Sequence, residues 1–270
     1  RLFVQFLLDH KIKVFENSGD LTAGGQSFKK GKSWVVPTNQ PQYRMVRTMF
    51  EYVKEFADSV FYDASAWTMA AAYGMPFSAA PSAKAGNQIT EVKAPTHSFP
   101  EGKAYAYLID WSDFYAPKML FELQKSGIHV ESVHRPFSSQ TQDGKVEFGA
   151  GTLMIPMGFQ KLKAEEVKSK IQEISTKTNQ KVYAVTTGIN LSGIDLGSNL
   201  VSAIQEPKVL MIVGTGTSAY EAGEIWNLLD QHLGMPITKV NTEQIGRVNL
   251  HQFNTLIMPS GNYNFFSEAQ

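Results

Sequence analysis

The chain has 270 residues, of which 43% are hydrophobic, with 25 Lys and Arg against 25 Asp and Glu and no cysteine. A formal net charge of zero argues against nucleic acid as a partner, and no apolar run reaches the roughly 18 residues that cross a bilayer. The absence of cysteine excludes a cysteine nucleophile and any cysteine-ligated zinc or iron–sulfur site.

Helical periodicity marks the chain from its start. Residues 2–8 are interpreted as a helix cut at its first turn, so that the chain is a fragment of a longer protein. Further segments with helical spacing begin near Pro41, Met119, Ala164 and Ser218. The last of these has a capping box formed by Ser218 with Glu221 and a stop signal at Gly234, which together predict a helix over 218–233.

Segments rich in β-branched and aromatic residues alternate with these helices and are predicted as strands. They are residues 12–15, 33–36, 60–62, 105–109, 128–133, 152–155, 182–186, 209–213, 237–240 and 255–258. Alternation of this kind predicts an α/β fold with largely parallel sheets.

The domain prediction rests on composition and on a degenerate repeat. Residues 1–75 form a first α/β unit, residues 76–103 are Pro-rich and form a linker or long connection, and residues 104–270 form a second domain. Residues 1–67 and 114–187 share a helix, strand, hairpin, helix and strand, with Pro37 and Pro156 at equivalent strand ends. A looser third copy is predicted over 228–259.

The histidines do not form a recognisable metal motif. None is followed by a Glu in H-x-x-E spacing or by a second His at i+4. His129 and Glu131 would share one face of a strand and His134 the other, whereas His97 lies in the Pro-rich connection. We therefore predict no metal site, and the absence of G-x-S-x-G disfavours a serine nucleophile.

The segment Gly214-Thr215-Gly216-Thr217-Ser218-Ala219 matches the loose G-x-G-x-x-A pattern of dinucleotide sites. Gly214, Gly216 and Ser218 are thus weak candidates for an anion site, and a tight strand-to-helix turn is the alternative. The next strand ends at Asn241 without an acidic residue for a ribose.

One aromatic cluster also allows two interpretations, a sugar or peptide platform and a packed core. It comprises Phe61, Tyr62, Trp67, Tyr73 and Phe77.

Two stretches resemble a known family. They are residues 35–44, Val-Val-Pro-Thr-Asn-Gln-Pro-Gln-Tyr-Arg, running into Met49-Phe50-Glu51, and residues 58–68, Asp-Ser-Val-Phe-Tyr-Asp-Ala-Ser-Ala-Trp-Thr. Both resemble the region after the catalytic domain of large bacterial, secreted zinc carboxypeptidase-like metallopeptidases of the carboxypeptidase A class. Residues 208–270 resemble the start of the class I glutamine-amidotransferase-like domain that those proteins carry.

The resemblance implies repeated flavodoxin- or amidotransferase-like units, the last one truncated at residue 270. It implies secretion or a periplasmic location, zinc in the parent protein's catalytic domain, and that peptidase domain or a peptide substrate as partner. No position here matches the family's H-x-x-E ligand pair, and the amidotransferase cysteine is missing. The expected function is a non-catalytic accessory region without a cofactor of its own, and the alternative is a small-ligand or nucleotide-binding module.

Overall fold

The computed structural model describes residues 1–52 and 68–264. The chain divides into two compact units, an N-terminal unit over Arg1–Ala94 and a C-terminal unit over Pro95–Gln270. Within the described ranges, no helix combines the length and the apolar character needed to span a membrane.

The N-terminal unit packs its helices on one face of a small antiparallel sheet. Its helices are α1 (Leu2–Asp9), α2 (Tyr43–Phe50) and α3 (Met69–Ala72), and its strands are β1 (Val14–Asn17), β2 (Leu21–Ala23), β3 (Gln26–Phe28), β4 (Trp34–Val35) and β5 (Ala85–Ile89). The sheet has the order β4-β1-β5, and β2 pairs with β3 as a separate hairpin. Apolar residues at helical spacing, including Leu7 and Val46, meet Val14 of β1 in one core.

The C-terminal unit begins with an antiparallel subregion, residues 106–203. It contains β6 (Ala106–Ile109), α4 (Ala116–Lys125), β7 (Glu131–Val133), β8 (Phe137–Thr141), β9 (Gly144–Phe148), β10 (Thr152–Pro156), α5 (Ala164–Thr178), β11 (Tyr183–Val185), β12 (Ser192–Gly193) and β13 (Val201–Ala203). The main sheet has the order β11-β6-β10-β7-β13, and a second sheet has the order β12-β8-β9. In the main sheet β10 lies between β6 and β7 and pairs antiparallel with both, which gives a split β-α-β arrangement.

Both faces of this five-stranded sheet are covered. Tyr107 and Ile155 face α4 and α5, whose residues Leu123 and Ile171 complete one core. The opposite face, which includes Met154, packs against the β8–β9 hairpin. This two-sided packing explains why every residue of β10 is buried.

A parallel subregion, residues 209–257, completes the described C-terminal unit. It contains β14 (Val209–Val213), α6 (Ala219–Trp226), β15 (Thr238–Asn241) and β16 (Thr255–Ile257). The strand order is β15-β14-β16, and both outer strands run parallel to β14. The helix after β14 continues as a π-helical segment, Asn227–His232, so helical backbone follows the predicted span almost to Gly234.

The predicted largely parallel, flavodoxin- or amidotransferase-like fold is wrong. Among the described residues, every strand pairing before residue 209 is antiparallel, and only β14, β15 and β16 pair in parallel. The error has a physical cause. Alternating strands and helices give parallel neighbours only when no other strand is inserted between them, and β10 returns through a hairpin to lie between β6 and β7.

The two units nevertheless share one local arrangement. In the N-terminal unit β1 is flanked by β4 and β5, and in the antiparallel subregion β7 is flanked by β10 and β13, all antiparallel. Both strands follow a helix that ends in the same way. The N–H of Ile12 donates to the Leu7 carbonyl over 3.0 Å, and the N–H of Ile128 donates to the Leu123 carbonyl over 3.0 Å.

A glutamine occupies the same bridging position in each copy. Gln40 accepts from the Lys13 N–H over 2.7 Å and donates to the Pro37 carbonyl over 2.6 Å. Its amide also donates to the Lys13 carbonyl over 3.2 Å. Each glutamine side chain therefore ties the start of a strand to the turn before a helix.

The second copy reproduces this bridge. Gln160 accepts from the His129 N–H over 3.0 Å, and it donates to the carbonyls of His129 and Pro156 over 2.9 Å each. Pro37, two residues after β4, and Pro156, the last residue of β10, thus accept the same bond from the bridging glutamine.

Other predicted segments fall differently. Residues 60–62, predicted as the closing strand of the first unit, lie outside the described residues. The stretch 76–103 contains β5, which belongs to the N-terminal sheet. The looser third copy over 228–259 does not follow the shared arrangement, since β15 and β16 pair only with β14 and run parallel to it.

Candidate functional site

The glycine-rich loop lies where parallel sheets most often bind ligands. Residues 214–218 leave the carboxyl end of β14 and lead into α6. Because β15 pairs on one side of β14 and β16 on the other, the strand order reverses at β14. Such a reversal opens a crevice outside the carboxyl ends of the strands, which is the usual ligand position in open α/β sheets.

The two glycines are required by the backbone. Gly214 has φ of 99° and Gly216 has φ of 87°, both in the region that disfavours L side chains. A Cβ at Gly214 would also lie 2.9 Å from Oδ1 of Asn241. The glycines therefore serve a tight turn that passes close to the end of β15.

The loop hydrogen bonds to a neighbouring segment of the same unit. The Ser218 N–H donates to the Ser260 carbonyl over 2.7 Å, and the Asn262 N–H donates to the Gly216 carbonyl over 2.9 Å. A Cβ on Gly261 would lie 2.5 Å from the Gly216 carbonyl oxygen. The segment after β16 thus packs against the loop and takes up the Ser218 N–H, a backbone donor at the start of α6 that an anion would otherwise use.

Ser218 caps α6 as the sequence predicts. Its Oγ accepts from the Glu221 N–H over 3.3 Å. In a complete capping box the Glu221 carboxylate would accept from the Ser218 N–H. Here Glu221 Oε2 accepts from the Ser260 N–H instead, over 2.6 Å. Glu221 therefore fastens the segment after β16 instead of the Ser218 backbone.

The electrostatics of the loop favour cations over anions. The backbone hydrogen bond from Ser260 lowers the pKa of Glu221 and keeps it ionised. A second carboxylate, Glu243, accepts from Thr215 Oγ1 over 2.9 Å. Two carboxylates beside the loop oppose a phosphate there, since like charges repel.

The histidines lie apart, with separate partners. His129 Nε2 lies 2.9 Å from Glu131 Oε1, so these two residues share a face as predicted. His134 Nε2 lies 2.7 Å from Ser202 Oγ. Across residues 1–52 and 68–264, no three His, Asp or Glu side chains come close enough together to hold a metal ion.

The aromatic cluster predicted as a platform or a core is only partly described. Phe61, Tyr62 and Trp67 lie outside the described residues. Tyr73 packs against Phe3 with ring centroids 5.3 Å apart, and Phe77 packs against Phe50 at 5.7 Å. Phe77 packs against the core of the N-terminal unit, whereas Tyr73 remains 41% exposed at its margin.

Two features of this site were missed by sequence reasoning. The first is that Ser260 and Asn262 fold back on the glycine loop; Gly261 between them was the one signal of a close backbone approach. The roles of Gln40 and Gln160 were also missed, although each follows its hairpin proline by three or four residues. No protein-family model, curated protein or solved structure matches this chain.

Proposed function

We propose that this chain is a non-catalytic accessory region of a secreted zinc carboxypeptidase-like protein and gives structural support or a recognition surface to the peptidase domain. The observation that carries the proposal is the use made of residues 35–44, one of the two stretches that resemble that family. Val35 lies in β4, and Gln40 bridges Pro37 to Lys13. The side-chain amide of Gln40 thus holds the start of β1 to the turn that precedes α2.

The internal repeat supports the same interpretation. Gln160 makes an equivalent bridge in the antiparallel subregion, between Pro156 and His129. A side chain that performs the same backbone bridging in two copies is explained by folding alone. If residues 35–44 serve the fold, the region is better suited to structural support or recognition than to catalysis.

Two measurements test the proposal. Metal analysis of the purified 270-residue chain should find no stoichiometric zinc, and a carboxypeptidase assay should find no chelator-sensitive release of C-terminal residues. One zinc per chain together with such cleavage would refute the non-catalytic role. The link to a peptidase is tested separately by reading the coding sequence upstream of Arg1, where an unrelated domain in place of an H-x-x-E peptidase domain would refute it.

A second candidate is a small-ligand or nucleotide-binding module at Gly214, Gly216 and Ser218. The observation that favours it is the reversal of strand order at β14, directly below the loop. Binding would require the segment around Ser260 and Asn262 to move away. Titration of the chain with ATP and with NAD, followed by calorimetry, would support this candidate only if saturable binding is lost in the variant Gly216→Val.

A further inference from the structure

The strand β9 is the longest edge strand of the antiparallel subregion. It has five residues and pairs only with β8 among the residues that the structure describes. The other edge strands there, β11, β12 and β13, have two or three residues each. The edge of β11 is also closed by a side chain, since Gln142 accepts from the Ala184 N–H over 2.8 Å and donates to the Val182 carbonyl over 3.3 Å. β9 therefore offers the longest run of backbone for a further strand.

The hairpin that contains β9 lies on the opposite face of the main sheet from α4. Its neighbours in the chain, β8 and β10, are both described. The parallel subregion contacts α4, because Lys118 Nζ donates to the His232 carbonyl over 3.1 Å. The chain also leaves β13 on that side, where Gln124 donates to the Ile204 carbonyl over 3.0 Å. These contacts with the parallel subregion and the segment leading to it thus lie across the main sheet from β9.

The backbone of β9 directs hydrogen-bonding groups outward at two residues. The Leu191 N–H donates to the Ser138 carbonyl over 2.8 Å, so the backbone of Ser138 faces β12 and not β9. Glu147 lies opposite Ser138 in the ladder. In an antiparallel ladder, opposite residues alternately face each other and face apart, so the N–H and C=O groups of Glu147 point away from β8. The same alternation turns those of Lys145 outward.

The side chains of β9 differ in polarity between the two faces of the strand. Val146 and Phe148 pack toward the main sheet. Lys145 and Glu147 extend to the opposite side, where their side chains are 58% and 70% exposed and lie 2.8 Å apart. An exposed ion pair of this kind contributes little stability by itself. Both charges therefore remain available to a partner strand.

The order of the charges fits an antiparallel copy of the same strand. Main-chain bonds form only if the outward-facing residues of the two strands lie opposite each other. When two copies pair about Val146, Lys145 of each copy lies opposite Glu147 of the other, which is a favourable cross-strand pair. Pairing about Lys145 would oppose two lysines and set Glu147 against Asp143, and pairing about Glu147 would oppose two glutamates. The register about Val146 is the one of these three that matches every charge.

We propose that two copies of this chain associate through β9, as antiparallel strands centred on Val146, to form a symmetric dimer. The same surface is used by both copies, and main-chain hydrogen bonds join Lys145 of one to Glu147 of the other. The charges fix the register, since any shift opposes like charges. An edge of five residues buries little area, so the dimer is weak and forms at high protein concentration. The proposal goes beyond the accessory role and does not depend on it.

Charge reversal in the 270-residue chain tests the proposal. Sedimentation equilibrium in low salt, from about 10 µM to about 1 mM protein, should show a concentration-dependent dimer of the unmodified chain. Lys145→Glu and Glu147→Lys should each weaken the dimer about tenfold or more, because each change opposes like charges in both cross-strand pairs. Both side chains are exposed, so neither change should disturb the fold.

Two combinations of these changes are the matched controls. An equimolar mixture of Lys145→Glu and Glu147→Lys should dimerise within about threefold of the unmodified chain, since an acidic strand then lies opposite a basic one. The double variant, which exchanges the two charges, should also dimerise within about threefold, because the pairing is preserved. Association through another surface would not show this reciprocal pattern.

Hydrogen exchange gives a second readout of the same interface. In the dimer the amides of Lys145 and Glu147 bond to the other copy, whereas the amide of Val146 bonds to Ser139 in either state. Protection at Lys145 and Glu147 should therefore rise with protein concentration, and protection at Val146 should change little. A chain that stays monomeric at about 1 mM would overturn the proposal. So would a dimer that the single charge reversals leave unchanged, or a mixture of the two variants that fails to dimerise.

Discussion

The N-terminal unit and the antiparallel subregion share the same local backbone arrangement but bury their equivalent strands to different extents. Both end a helix with a residue of positive φ, Lys11 at 62° and Gly127 at 80°. Both fasten the following strand with a glutamine, Gln40 or Gln160. They differ in the strand paired with it: β10 has a strand on each side, whereas β4 pairs with β1 alone among the residues that the structure describes. The local geometry is therefore shared. We expect substitutions in β10 to cost more stability than equivalent substitutions in β4, because β10 is more deeply buried.

The largest expected effect compares equivalent core positions. Ile155 is 0% exposed in the core of the antiparallel subregion, whereas Val36 is only partly buried. Ile155→Ala should lower the free energy of unfolding by about 3 kcal/mol because it leaves a cavity in a closely packed site. Val36→Ala should cost about 1 kcal/mol because less apolar surface is lost. Urea denaturation of both variants measures the difference, and equal costs would show that β4 is as enclosed as β10.

The next effect concerns the two glutamines. Gln160→Met leaves the His129 N–H and two carbonyls without the amide that bonds to them, and it should cost about 2 kcal/mol. Gln40→Met should cost less, about 1 kcal/mol, because its bonds to Lys13 are exposed and water can replace them. The exposed Gln172 on α5 provides a matched control, for which the same change should fall within about 0.5 kcal/mol of zero. A negligible cost at either bridge would contradict the shared role.

The two helix-ending residues should respond with opposite signs. Gly127→Ala forces a Cβ into a left-handed conformation and should cost about 1 kcal/mol. Lys11→Gly relieves the same strain and should stabilise the chain by up to about 1 kcal/mol, reduced by the extra freedom of glycine in the unfolded state. Thermal unfolding of the two variants checks the signs. A loss of stability in Lys11→Gly would mean that the lysine is held there by contacts that offset its strain.

The smallest effect lies outside the repeat, in the parallel subregion. Ser218→Ala removes the hydroxyl that accepts from the Glu221 N–H and should cost about 1 kcal/mol or slightly less. Ser218→Asp is the control, because a carboxylate also caps a helix and should retain stability. If Ser218→Ala leaves thermal stability unchanged but abolishes the binding of ATP, the small-ligand interpretation is favoured over the structural one.

Local structure was largely predictable from the sequence. Val209–Val213 was predicted with its observed bounds, and the cap at Ser218 was predicted with its partner. Both follow from residue types within a few positions of each other. The sheet pairing did not follow, because the insertion of β10 between β6 and β7 depends on contacts between residues far apart in the sequence, such as Met154 with Glu131 and with Leu108. The hairpin strands β8 and β9 were missed, since Ser138 and Ser139 are buried polar residues that conceal the strand pattern.

At the candidate site, too, local structure was predictable from the sequence and long-range contacts were not. The sequence placed Gly214 and Gly216 in a strand-to-helix turn, which depends on local geometry. It did not show that Ser260 and Asn262 bond to that turn, because their approach results from the pairing of β16 with β14. A pattern of a few residues is enough to predict the turn at Gly214 and Gly216. The contacts that fill the crevice beside it come from a segment more than forty residues later in the sequence.

Native-state hydrogen exchange at Lys13 and His129 tests the central claim, that one bridged arrangement is repeated in the two units. Both backbone amides should exchange at least about tenfold more slowly than exposed amides, since each donates to a glutamine side chain. Gln40→Met should release the amide of Lys13 alone, and Gln160→Met should release that of His129 alone. Fast exchange at either amide in the unmodified chain would contradict the account.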